Sequence, residues 1–194
     1  TGESLAFKVI NKIYGRLKFL YRKNRFLSYS LRRMLCNALI QPHFDYACSA
    51  WYPNLNKKLK DKLQVIQNNC IRFCLQLGNR HHIGLEEFKN INWLPVKERF
   101  SQQLASNAYK FFNSKCPAYM SEIFDATNEC HINTRSSLLK LKLPFCKSSK
   151  GQTSPAFLTP KIWNTLPQEL KLSKTTDNFK HGFKRHYFNK NNFD

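Results

Sequence analysis

The chain has 194 residues, 42% hydrophobic and 14% aromatic, enough to bury a core and to exclude wholesale disorder. Its 32 Lys and Arg stand against 12 Asp and Glu, a net charge of +20, and a fold carrying that excess repels itself unless a polyanion neutralises it. No apolar run approaches the ~18 residues of a membrane span. The opening "TGESLAFKVINKIYG" shows no signal-like apolar stretch and no initiator Met, so a piece of a longer product is expected.

Residues 5–23 predict a helix. Val9, Ile13, Leu17 and Leu20, flanked by Ile10, Tyr14 and Tyr21, recur at spacings of three and four. Lys8, Lys12, Arg16 and Lys23 fall on another face, and Gly15 weakens the centre by about 1 kcal/mol relative to Ala. Ser28 and Ser30 are candidate N-caps for the next helix, whose Leu31, Met34, Leu35, Ala38 and Leu39 share a face. Pro42 ends or kinks it, "HFDYACSAW" can resume it, and Pro53 closes it. The clearest pattern runs over 55–77: Leu55, Leu59, Leu63, Ile66, Cys70, Phe73 and Leu77, with Gly78 as a natural C-terminal stop. Lys57, Lys58, Lys60 and Lys62 crowd its first turns, the unfavourable end of the helix dipole for cations. Either a bound phosphate chain or a solubilising lysine cluster accounts for them.

"HHIGLEEFKNINWLPVKERF" predicts a short helix, a break, and a longer helix from near Pro95, in which Val96, Phe100, Leu104, Ala108 and Phe111 repeat. "KCPAYMSEIF" reads as a turn and short helix. From about Asp125 the texture changes. "DATNECHINTRSS" is polar and irregular, "LLKLKLPFC" alternates as an exposed strand, and "KSSKGQTSP" is a turn-rich loop. "TPKIWNTLP" predicts a short helix capped by Thr159 with Pro160 in its first turn. "TTDNFKHGFKRHYF" predicts a last helix with Phe179, Phe183 and Tyr187 four apart. The expected fold class is mainly α: a helical bundle with a small mixed C-terminal segment containing a short strand or hairpin. The expected division is a helical domain over 1–114, a linker with a short helix over 115–135, and a C-terminal segment over 136–194.

Catalytic chemistry is poorly provided for. Only Glu86 and Glu87 are adjacent acids, with no Asp-Asp pair and no Gly-rich phosphate loop, so a two-metal site is not expected. Cys70, Cys74, His81 and His82 form C-x3-C-x6-H-H, which departs from zinc-finger spacing, and Cys130-His131 has no partner pair nearby. "NALIQPHFDYACSAWYP" places His43, Asp45 and Cys48 together. Positions 43 and 48 do not face each other on a helix, and no oxyanion-hole glycines flank them. Packing is the expectation, with no catalytic residue and no metal. The seven cysteines, odd in number and without a signal, imply reduced thiols inside a cell. Between Glu3 and Asp45 there is no acid, while Lys8, Lys12, Arg16, Lys18, Arg22, Lys23, Arg25, Arg32 and Arg33 fall there. Nucleic acid is therefore the expected partner, through counterion release from phosphates; a merely soluble basic surface is the alternative.

Several segments occur in a familiar order: "RLKFLYRKNRFLS", "RRMLCNALIQPHFDYACSAWYPNL", "QNNCIRFCLQL", "INWLPVKERF" and "PKIWNTLPQEL…FKHGFKRHYF". Over essentially its whole length the chain resembles the C-terminal portion of reverse transcriptases of non-LTR (LINE-type) retrotransposons, of the jockey and chicken-repeat groups. "LIQPHFDYACSAWYP", "NWLPV" and "WNTLP" are its most specific pieces. Proteins of that kind carry an endonuclease domain, then fingers and a palm with catalytic aspartates, then this region. The family's polymerase motif, an aromatic residue and Ala followed by two Asp, matches no position here. The resemblance implies a helical thumb over 5–114 that grips template–primer duplex, and a less characterised tail over 135–190. Thr159 stands where similar sequences often have Gly, which bears on the local turn. The implied partners are RNA, DNA or an RNA–DNA hybrid and the palm and fingers of the parent polymerase, with no membrane. No cofactor is implied for this chain, since Mg would belong to the palm, and the implied location is nuclear or shuttling. Arg16, Arg22, Arg25, Arg32, Arg33, Lys57, Lys58 and Lys60 are the candidate phosphate contacts. The rival readings are a helical protein-interaction module docking through "LLKLKLP" or the last helix, and an enzyme using Cys48 or Cys70/Cys74. A basic first helix lying on anionic membrane is the weakest.

Overall fold

The computed structural model describes residues 2–117, 124 and 139–191, and the chain is mainly helical. It divides into two compact units, Thr1–Phe100 and Ser101–Asp194. The helix expected from "KCPAYMSEIF", the linker over 115–135, the "DATNECHINTRSS" stretch and the Cys130-His131 candidate lie wholly or largely outside the described residues.

In the first unit, α1 (Gly2–Arg22) buries Ala6, Val9, Ile10, Ile13, Leu17 and Leu20. This is the stripe its spacing predicts. After a 3-10 turn at Asn24–Phe26 comes α2 (Tyr29–Leu39), where the Ser28 side chain accepts the Leu31 N–H. Its buried residues are Arg32 and Cys36, whereas Met34 is 58% exposed. Of the face expected from Leu31, Met34, Leu35, Ala38 and Leu39, the three leucines are half-buried while Met34 and Ala38 are exposed, so the buried face is turned toward Arg32 and Cys36. Two short helices follow, α3 (Gln41–Asp45) with Pro42 in its first turn and α4 (Cys48–Trp51). Ala47, between them, has φ +47°, a left-handed conformation costly for a residue with a Cβ. It prevents the continuous helix expected there.

Helix α5 (Lys57–Leu75) is capped by Asn56, whose side chain accepts the Leu59 N–H at 2.9 Å. It packs against α1 and α2 and buries Leu59, Leu63, Ile66, Gln67, Cys70, Ile71, Phe73 and Cys74. Its C-terminal turn is made by Gln76 in the left-handed region, not by Gly78. In α6 (Leu85–Ile91) Glu87 reaches back to accept the Gly84 N–H at 2.8 Å, which satisfies one of the four orphan donors of a helix start. Helix α7 (Val96–Phe112) follows, and the boundary between the units falls within it.

The "NWLPV" segment is held by side chains from elsewhere in the first unit. Trp93 Nε1 donates to Asn37 Oδ1 at 3.0 Å. Gln67, fully buried, donates to the Leu94 carbonyl at 2.8 Å. The Val96 N–H, at the start of α7, donates to Gln64 Oε1 at 3.0 Å. Arg99 then meets both oxygens of Asp45, at 2.5 and 2.6 Å. Two of the segments that carry the resemblance are thus tied to each other by hydrogen bonds, each worth about 1 kcal/mol net and more if its partner were left buried and unpaired.

The second unit contains the rest of α7 with α8 (Ser149–Gln152), α9 (Pro155–Asn164), α10 (Gln168–Lys171) and α11 (Thr176–Lys190). Aromatic rings form its core. Tyr109 stacks on Phe179 at 4.9 Å and Phe112 on Trp163 at 5.3 Å, and Trp163 is fully buried. Thr159 is not a cap. Ser154 accepts the Phe157 N–H and Pro155 takes the first helical position, which starts the helix earlier and leaves Thr159 and Pro160 buried inside it. In the expected turn-rich loop, α8 brings Gly151 so close to Cys146 that a Cβ there would lie 2.0 Å from the sulfur.

Of the expected strand, Leu141 is the single bridge residue among the described residues. Asn164 also holds this residue: its Oδ1 accepts the Leu141 N–H at 3.0 Å and its Nδ2 donates to the Leu141 carbonyl at 2.8 Å. Trp163 Nε1 adds a bond to the Leu139 carbonyl at 2.8 Å. Beyond it, Leu143 and Phe145 are 48% and 87% exposed.

Candidate nucleic-acid interface

The eight cations singled out in the sequence do not share one fate. Arg32 is only 5% exposed. Its Nε donates to the Cys74 carbonyl at 3.0 Å and its Nη1 to the Leu27 carbonyl. The first of these carbonyls lies in the last turn of α5, where acceptors lack helical partners and a cation is favoured. Arg32 is thus a structural cation and does not face a ligand. Arg16 is exposed, yet its Nη1 donates to the Leu39 carbonyl at the end of α2, a similar use. Arg33 is half-buried, with its Nε shielded from solvent. Lys60 donates to the Pro53 carbonyl at 3.1 Å and lies over the Tyr52 ring at 5.5 Å. Arg22, Arg25, Lys57 and Lys58 project from the surface. In the second unit Lys171 is also buried, its ammonium 5.4 Å from the Trp163 ring centre, and burial lowers its pKa.

Helices α1 and α5 lie side by side and run the same way. Glu3 Oε1 accepts from Asn56 Nδ2 at 2.9 Å near their starts, Lys62 sits over the Phe7 ring at 6.0 Å, and Tyr21 meets Phe73 edge-on at 5.1 Å further along. Two open hollows follow the seam. One, of about 560 Å³, is lined by Tyr14, Lys57, Lys58, Asp61, Lys62 and Val65. The other, of about 470 Å³, is lined by Tyr14, Leu17, Lys18, Tyr21, Asn69 and Asn79. Tyr14 belongs to both. Lys57 and Lys58 are therefore brought together with Lys18, Lys62 and exposed rings, while Arg16, Arg32 and Lys60 bond backbone carbonyls and Arg33 lies outside both hollows.

Lys18, Lys62, Phe7 and Tyr14 are absent from the eight. A signal for them was present: positions 7, 14 and 21 recur every seven residues, with Lys18 between, along one edge of α1. Tyr14 and Tyr21 read as the flank of the core stripe, but Tyr14 is 45% exposed, and so is Phe7 at 47%.

The His43, Asp45 and Cys48 group is not an active-site triad. Asp45 is bound to Arg99. Cys48 is buried, and burial, then the Asp45 charge, pushes its thiol up to about 11, far from a usable thiolate. His43 has its pKa lowered by burial and by the Arg16 and Lys12 charges. Cys70 and Cys74 are fully buried core residues, and His81 is paired with Glu87 at 3.0 Å. Among the described residues no cluster of three or more His, Cys, Asp or Glu could hold a metal ion. No helix there is long and apolar enough to cross a membrane.

Fold and surface together define a mainly helical, strongly basic chain with a lysine-lined groove between two parallel helices. No protein-family model, curated protein or solved structure matches it.

Proposed function

We propose that the chain is a nucleic-acid-binding thumb-and-tail portion of a non-LTR retrotransposon RNA-directed DNA polymerase, gripping template–primer duplex by phosphate contacts. The observation that carries this reading is the α1–α5 groove, where Lys18, Lys57, Lys58 and Lys62 gather against one acid, Asp61. Flexible ammonium groups on rigid helices hold a phosphate backbone without reading sequence. The first turn of α5 adds its positive dipole end to the lysines there. Arg22 and Arg25 extend the exposed basic surface.

The motifs that carry the resemblance fit a supporting role. Asn37, Asp45, Trp93, Arg99, Trp163 and Asn164 clamp backbone or one another. Chemistry then belongs to a palm outside these residues, with any Mg. The test is binding of an RNA–DNA hybrid by the full chain as a function of salt. Each neutralised phosphate steepens the fall of log K with log salt by roughly 0.7–0.9. No detectable binding of micromolar hybrid at low salt refutes the reading. The exposed Leu143 and Phe145 favour a second reading, a protein-docking module; a defined complex that survives nuclease and high salt would support it.

A further inference from the structure

We infer that the α1–α5 groove takes an unpaired nucleic-acid strand, with a base stacking on Tyr14 and phosphates held by Lys18, Lys58 and Lys62. This deepens the proposed nucleic-acid reading and rests on it: the lysines hold phosphates of a paired or an unpaired strand, and the ring adds a preference for the unpaired one. The argument begins from the rings. Phosphate contacts alone need only cations, and the rings at 47% and 45% exposure leave apolar surface in water that a phosphate does not use. In a duplex each base has its faces covered by its neighbours; only an unpaired strand offers a free face to an aromatic side chain.

The arrangement suits that ligand. Tyr14 stands where the two hollows meet, so a base laid on it has a lysine-bearing hollow on either side. Lys62 rests over the Phe7 ring at 6.0 Å, a cation–π contact that holds its ammonium at the edge of the hollow. Tyr21 plays another part. Its hydroxyl donates to the Asn69 carbonyl at 3.4 Å and its ring packs on Phe73, so it forms a wall. From Lys58 to Asn69 the track follows α5 for about 16 Å, room for roughly four or five nucleotides at the stacked rise of about 3.4 Å. The surplus of lysine over Asp61 favours the polyanion along that length.

The experiment compares two probes by fluorescence anisotropy at low salt: an unstructured labelled RNA strand of roughly 12 nucleotides, and the same strand paired with complementary DNA. The full chain is tested unmodified and as Tyr14→Leu, Tyr14→Phe and the double variant Lys58→Gln with Lys62→Gln, each shown folded by circular dichroism and melting. Tyr14→Leu should weaken single-strand binding roughly five- to hundredfold more than duplex binding. Tyr14→Phe, which keeps the ring, should restore the preference, and the lysine double variant should weaken both probes. Equal effects of Tyr14→Leu on both probes, or none on either, would overturn the inference while duplex binding leaves the broader reading standing. Failure of the unmodified chain to bind either probe would remove both. If Tyr14→Leu fails to fold, Tyr14→Gln carries the same comparison.

Discussion

Arg32 and Cys74 lie 42 residues apart in the chain, and the Arg32 Nε donates to the Cys74 carbonyl at 3.0 Å with the arginine buried. The second guanidinium bond, to Leu27, fixes the turn before α2. One cation from the basic N-terminal run thus joins α2 to the end of α5. Truncating it leaves two carbonyls without this donor and removes a packed stem. Arg32→Ala should therefore cost about 2–4 kcal/mol of unfolding free energy, seen as a lower urea midpoint at unchanged m. At a temperature where the variant stays folded, its affinity for hybrid should match the unmodified chain.

The bond between Asp45 and Arg99 calls for a smaller number. It is bidentate at 2.5 and 2.6 Å, but the Asp45 side chain is 43% exposed, so solvent screens it. A double-mutant cycle of Asp45→Asn and Arg99→Met should give a coupling of about 0.5–1 kcal/mol. Additive single effects would reduce the pair to a surface contact.

Cys48 separates packing from chemistry. With its thiol pushed up to about 11 and its side chain buried, it should resist alkylation in the native chain near neutral pH and react only after unfolding. Mass mapping of labelled peptides checks this. Cys48→Ala should lower stability by on the order of 1 kcal/mol and leave hybrid binding intact. Rapid native labelling would reopen a nucleophilic role.

His43 predicts a pH dependence. Its pKa in the fold lies below the ordinary 6.5, so the unfolded chain takes up the proton first. The stabilisation is complete above about pH 6.5 and is lost as pH falls from there toward the depressed value. Glu87, whose carboxyl is held low by the His81 ring and the Gly84 N–H, contributes only once pH drops toward and below its ordinary 4.5. Urea midpoints measured from about pH 7.5 to about 5 should decline, and His43→Gln should remove part of that decline. An unchanged slope would assign it to other groups.

Helices α1, α5, α7 and α11 were legible because their apolar residues repeat at three and four, and of the two cap candidates Ser28 and Ser30 it is Ser28 that caps α2. What could not be read shares a cause. Arg32 is buried by acceptors remote in sequence, so no local pattern marks it, and α2 turns its Cys36 face inward instead of its more apolar one. The left-handed Ala47 and the one-residue bridge at Leu141 likewise answer to tertiary partners. In the groove, Phe7 and Tyr14 lie at the edge of the α1 stripe, where three- and four-residue spacing does not distinguish core from rim. Lys57, Lys58 and Lys62 of the groove stand in the wrong-end charge cluster at the start of α5, together with Lys60.

The most direct test of the account is the salt dependence of hybrid binding in the unmodified chain and in the Lys58→Gln, Lys62→Gln double variant. If these lysines hold phosphates, the slope of log K against log salt should shrink by roughly 1.4–1.8 for the two lost contacts, with folding unchanged. A double variant that binds with the same affinity and the same slope would contradict it.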